Sequence, residues 1–162
     1  YEPRTLSVQA ILGHSRSIQT QVIKQADVVM LMALLGEELA SMPVLLNNFN
    51  TYFPRTDHGS SLSPAIHAWV AARLGLADIA IDMFEHAGSI DLNDNKGNVR
   101  DGIHGAACGG TYQALVFGIC GLKLDANGEL MADPQLPSHW KSVSFNVNHR
   151  GQKKHFRFTN PA

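Results

Sequence analysis

The stretch IHGAACGGTYQALVFGICGLKL, residues 103–124, decides the fold because the sequence period changes inside it. From about Ile103 to Ile119, small and apolar residues run on without proline or alternation, which predicts a helix. After Gly121 the period becomes two: Leu122-Lys123-Leu124, the turn Asp125-Ala126-Asn127-Gly128, then Leu130, a hairpin. Val143, Phe145 and Val147 alternate with Ser144, Asn146 and Asn148. Past Arg150-Gly151, Phe156 and Phe158 alternate with His155 and Arg157, so half-buried antiparallel strands are expected. The chain therefore reads as mainly α with a C-terminal β part. We place a domain boundary near Gly121, dividing the chain into 1–121 and 122–162, with helical signals over 18–122 and strand signals over 122–158. The one segment resembling a linker is Asp133-Pro134-Gln135-Leu136-Pro137.

Working back from this stretch, Gly105, Ala106, Ala107, Gly109, Gly110 and Ala114 leave half of the last helix nearly bare. Glycine in a helix costs up to about 1 kcal/mol against alanine, so so many imply a close approach to the backbone, either by a packed helix or by a ligand. Upstream, Ser63-Pro64 reads as an N-cap followed by proline in the first turn. Ile66, Trp69, Val70 and Leu74 then form an apolar stripe closed by Gly75. A further helix is expected over Asp78 to Ala87, followed by a polar, turn-rich loop from Asp91 to Asp101. From Val22 to Leu35 only Lys24, Gln25 and Asp27 interrupt apolar residues, which predicts a helix buried on most sides and ended by Gly36.

Composition narrows the function classes. Of 162 residues, 44% are hydrophobic, enough to build a core. Lys and Arg total 13 against 14 acidic residues, so nothing favours a nucleic-acid or anionic-membrane surface. The longest apolar run, Val28 to Leu35, is far shorter than the ~20 residues a spanning helix needs. Cys108 and Cys120 fall on one helix, about 18 Å apart at ~1.5 Å per residue, and cannot pair. Two unpaired thiols suit a reducing compartment, and the cytoplasm is expected. The opening Tyr1-Glu2-Pro3-Arg4 resembles the interior of a longer protein, and a fragment is expected.

Three places carry candidate chemistry. Asp57-His58-Gly59-Ser60-Ser61-Leu62-Ser63-Pro64 precedes the capped helix, so backbone N–H groups and hydroxyls gather at a helix N-terminus, a geometry that favours an anion. Gly59 permits close approach, Ser60 and Ser61 can donate to phosphate oxygens, and His58 can add a charge-assisted bond. An ordinary capping loop explains the same residues. Asp101-Gly102-Ile103-His104 also precedes a helix, and His104 either faces the same cavity or is structural. Lys24 and Gln25 could bind sugar hydroxyls, although a Lys24–Asp27 or interhelical pair would equally satisfy them. An EF-hand is disfavoured because Lys96 stands at the required glycine and Gly102 at the terminal glutamate. No zinc or nucleotide motif occurs, and Ser60, His104 and Asp101 lack the elbow motif of a hydrolase triad.

Four ordered motifs, Ile23-Lys24-Gln25-Ala26-Asp27-Val28, Thr56-Asp57-His58-Gly59-Ser60-Ser61-Leu62-Ser63-Pro64, Asp101-Gly102-Ile103-His104 and Gly109-Gly110-Thr111-Tyr112-Gln113-Ala114, together resemble glycoside hydrolase family 65, the maltose, kojibiose and trehalose phosphorylases. The tail from Gly121 to Trp140 resembles that family's junction into its β-sheet domain. The resemblance implies the last helices of an (α/α)6 barrel followed by a sandwich-like antiparallel β domain. It implies phosphate-binding roles for His58, Gly59, Ser60, Ser61 and His104, and sugar contacts for Lys24 and Gln25.

The implied reaction is inverting phosphorolysis of an α-linked glucose disaccharide to β-glucose 1-phosphate. The partners are thus a disaccharide and inorganic phosphate as co-substrate, with no metal or organic cofactor. A homodimer is the family's common assembly. Inverting hydrolases use one carboxylic acid and one carboxylate that activates water. Here hydroxyls and a histidine stand where that base would be, which favours a phosphorylase over a trehalase-like hydrolase or a noncatalytic carbohydrate-binding module. The family's general-acid glutamate has no counterpart in these residues, so the chain alone is expected to be inactive.

Overall fold

In the computed structural model, which describes residues 6–160, two short helices, α1 (Val8–Leu12) and α2 (His14–Ser17), lead into α3 (Asp27–Leu35), α4 (Met42–Tyr52), α5 (Ser63–Arg73), α6 (Ala77–Ser89) and α7 (Gly105–Gln113). The segment Tyr1-Glu2-Pro3-Arg4 lies outside the described residues. From Ala114 to Ile119 the last helix continues as a π-helix, with Cys120 N–H reaching back to Leu115 O at 2.8 Å. Four strands follow: β1 (Lys123–Leu124), β2 (Leu130–Met131), β3 (Ser142–His149) and β4 (Gln152–Thr159).

Helix α5 is the centre. Every residue from Ser63 to Ala72 is buried, and α3, α6, α7 and the π segment all pack on it. Its alanines let neighbours come close, while Ile66, Trp69 and Val70 fill the core with Val29, Phe49 and Met83. Gly118 of the π segment lies against the α5 backbone, where an added Cβ would stand 2.8 Å from Trp69 Cα. Gly110 faces Ala65. Because Ala65 pairs with Gly110 and Trp69 with Gly118, α5 and α7 run in the same direction and open at the same end. Two of the glycines are thus accounted for by helix packing, whereas Gly105 and Gly109 face open space.

Strands β1 and β2 pair antiparallel, with Lys123 opposite Met131 and Leu124 opposite Leu130. Strands β3 and β4 pair from Ser142–Thr159 to His149–Gln152 around the turn Arg150-Gly151, both of which have positive φ. Phe145, with Phe156 and Phe158, packs onto Val116, Cys120 and Leu122, so the strands share a second core with the π segment. The linker-like segment is not free: Gln135 N–H donates to Ile119 O at 2.7 Å, and Asp133 lies under Gly121. Both cysteines are unpaired. No helix among the described residues is long and apolar enough to cross a membrane.

Three expectations are corrected. The helix expected over 22–35 begins only at Asp27, because Ile23 uses its backbone sideways: its N–H donates to Arg55 O at 2.9 Å and its carbonyl accepts from Asp57 N–H at 2.8 Å. An N–H and a carbonyl committed laterally cannot serve a helix ladder. Nor is α3 buried on most sides. Val29, Met32 and Ala33 face the core, but Leu31, Leu34 and Leu35 are 43%, 66% and 43% exposed. Finally, Ser63 is not the N-cap of α5. Leu62 takes that place, and Ser63 is the first helical residue, fully buried.

Candidate functional site

The loop before α5 is built on a buried imidazole. His58 has φ 51°, the left-handed region that non-glycine residues enter only when their surroundings hold them there. It is 3% exposed, its Nδ1 lies 2.9 Å from Ser63 Oγ, and its ring meets Phe53 and His67 edge to face, at centroid distances of 5.5 and 4.6 Å. His67 is also wholly buried and donates from Nδ1 to Ser63 O at 2.8 Å. Burial lowers its pKa from 6.5 to about 4, against the opposing effect of that bond.

Gly59 is required by space rather than by φ: a Cβ there would stand 2.8 Å from both Asp57 Oδ2 and Ser7 Cβ. Asp57 is itself buried and accepts from Val8 N–H at 2.7 Å. Ser60 and Ser61 are half-buried, and Ser60 Oγ accepts from Leu62 N–H at 3.3 Å, tightening the turn into α5. His58 thus lies beneath the loop, while the two serines lie nearer its surface.

The second group sits at the start of α7. His104 is the residue preceding that helix. Asp91 grips it twice, accepting from the His104 backbone N–H at 2.8 Å and from the ring Nδ1 at 2.5 Å. The hydrogen bond from His104, above all, holds the Asp91 carboxyl below the usual carboxylate range. On the other side, His104 Nε2 is 3.5 Å from Asn98 Nδ2.

Two long-range contacts join the motifs. The Ile23–Thr56 bridge sets Lys24 and Gln25 beside the strand that enters the serine loop. Lys24 is exposed on this bend and not within a helix, and Gln25 lines a small cleft with Ile23, Asp27, Tyr52 and Thr56. Lys96, from the loop that carries Asp91 and Asn98, donates to His58 O at 3.3 Å. Burial lowers the Lys96 pKa, and the nearby Asp57 charge partly opposes this. The serine loop and the His104 loop are therefore tied together, at the common open end of α5 and α7. Sequence reasoning missed Lys96, His67 and Asp91. Asp91 opens the polar, turn-rich loop, and its spacing of 13 residues from His104 carries no local signal.

Residues 5–113 match the family described as glycosyl hydrolase family 65 central catalytic domain, and residues 123–159 match the C-terminal domain of the same family. The chain is 44% identical over 132 residues to a kojibiose phosphorylase of Caldanaerobacter subterraneus subsp. tengcongensis, covering 82% of this chain and 17% of that protein. It is 41% identical over 139 residues to an alpha,alpha-trehalose phosphorylase of Thermoanaerobacter brockii, covering 86% and 18%. A solved structure from the human microbiome, provisionally named a kojibiose phosphorylase, superposes with a TM-score of 0.87 at 32% identity, covering 98% of this chain and 23% of that one. The chain spans about a sixth of the length of the curated relatives it matches.

Proposed function

Since this chain belongs to glycosyl hydrolase family 65, we propose that it supplies the phosphate-binding side of an α-glucoside phosphorylase active site, working within a polypeptide of its relatives' length. The observation that carries the reading is the convergence of separate segments on one end of α5 and α7: the bridge at Ile23, the serine loop over His58, and His104 held by Asp91. The N-terminal turns of two parallel helices and the Ser60 and Ser61 hydroxyls would meet an oxyanion there. His58 and Gly59 shape the loop, and His104 approaches from the α7 side. Lys24 and Gln25 border the sugar.

Phosphate then attacks the anomeric carbon as the glycosidic bond breaks. A carboxylic acid outside this chain protonates the departing sugar oxygen. Neither carboxylate beside the site takes that role: Asp57 and Asp91 are each committed to backbone N–H groups. Cytoplasmic location and a homodimeric assembly belong to the same proposal.

The test uses the polypeptide encoded by the whole reading frame, assayed on kojibiose, trehalose and maltose with and without phosphate. A hydroxyl bonded to a charged group contributes ~1.5–3 kcal/mol, so Ser60→Ala and Ser61→Ala should each raise the KM for phosphate about 10- to 100-fold. Glucose release that needs no phosphate would overturn the proposal.

A further inference from the structure

Resting on that phosphate-site reading, we propose that Asp91 is the positioning residue of His104: it claims Nδ1 and thereby makes Nε2 the ring nitrogen that faces a phosphate. An ionised carboxylate only accepts hydrogen bonds, so the Nδ1 at 2.5 Å must carry the hydrogen. The second oxygen of the same carboxylate holds the His104 backbone N–H, so both ends of the residue are fixed from one point. A ring clamped at its backbone and at Nδ1 retains little freedom to turn, and a ligand of this kind is what an outer carboxylate ordinarily provides for a functional histidine.

The remaining nitrogen is weakly engaged. Nε2 has Asn98 Nδ2 at 3.5 Å, beyond the normal hydrogen-bond range, and Asn98 Oδ1 is buried with no partner among the described residues. With the hydrogen on Nδ1, Nε2 of the uncharged ring presents a lone pair, so the NH2 end of the Asn98 carboxamide is the one that faces it. Asn98 thus keeps the place of a donor, and the P–OH of a hydrogen phosphate can take it. Gly105 and Gly109, which follow on the same helix with open space before them, leave that approach clear.

Asp91→Asn is the informative change. Asparagine has one oxygen for two donors; if it stays on the backbone N–H, its NH2 group faces Nδ1 and forces the hydrogen to Nε2. In the chain labelled with 15N-histidine, with His104 identified by its loss in His104→Gln, the ring shifts at pH 8 should report Nδ1–H. Asp91→Asn should convert it to Nε2–H, and Asp91→Glu should restore Nδ1–H. The same tautomer in Asp91→Asn as in the parent overturns the assignment.

Turnover supplies the second arm, in the polypeptide encoded by the whole reading frame. Asp91→Asn should raise the KM for phosphate by about 10- to 100-fold while the disaccharide KM stays within about twofold. Adding it to His104→Gln should cost nothing further. Multiplying effects, or both KM values rising together, would refute the positioning role. If the parent polypeptide shows no phosphate-dependent turnover, the phosphorylase reading fails, and the tautomer measurement still decides whether Asp91 controls His104.

Discussion

Acidification should unload stability through His67. It is fully buried, in edge-on or tilted contact with the rings of His58, Phe49 and Phe53, and its pKa falls from 6.5 to about 4. Between these values the unfolded chain binds a proton and the folded chain does not, so stability rises with pH across the window and falls as pH drops from about 6.5 to about 4. Below about 4 both states are protonated and this loss is complete. At ~1.36 kcal/mol per pH interval of one, the full effect is on the order of 3 kcal/mol, with about half reached near pH 5. A change of that size is a large part of an ordinary domain's stability.

Other groups also titrate on this limb: burial lowers the pKa of His86, and hydrogen bonds lower those of Asp91 and Asp125. The clean measure is therefore the difference between the parent and His67→Phe, which keeps an aromatic ring but cannot protonate. Urea unfolding at pH 7.5, 6.5, 5.5 and 4.5 should find His67→Phe the less stable at pH 7.5, by about 1 kcal/mol for the lost bond to Ser63 O, and should find the gap closing and reversing by pH 4.5. A difference that stays constant across the series would refute the reasoning.

Gly118→Ala places a methyl 2.8 Å from Trp69 Cα, backbone that cannot step aside, and should destabilise by about 1–3 kcal/mol in the same unfolding assay; a neutral result would mean that the π segment can shift off α5. Iodoacetamide at pH 8 should label one thiol per folded chain, at exposed Cys108, because Cys120 is buried and burial pushes its thiol up to about 11; mass spectrometry finding Cys120 modified first would contradict the packing.

What was legible in the sequence was what neighbouring residues decide. The β1–β2 and β3–β4 hairpins follow from alternation and turn residues, and α5 from proline and an apolar stripe. Helix α4 carries a similar signal, Pro43 just inside its start after Ser41, and went unread. The errors arose where distant backbone intervened. Nothing near residues 22–26 announces that Ile23 will bond to Arg55 and Asp57 rather than continue a helix. The serine loop and His104 were found because glycine, serine and histidine cluster before helices. Their supports were not, since Lys96 reaches His58 across 38 residues and Asp91 reaches His104 across 13.

The wide coil at Ala114–Ile119 lets one rod serve two cores. It aims Gly118 at Trp69 while Val116 and Cys120 join Phe145 beneath the strands. Deleting a single residue there would let the coil tighten to ordinary α geometry, and everything downstream would swing by about 100° around the axis. The flat spot that seats against α5 and the ridge that carries the hairpins would then no longer face their partners together, so the segment tolerates exchange of side chains far better than a change in their number.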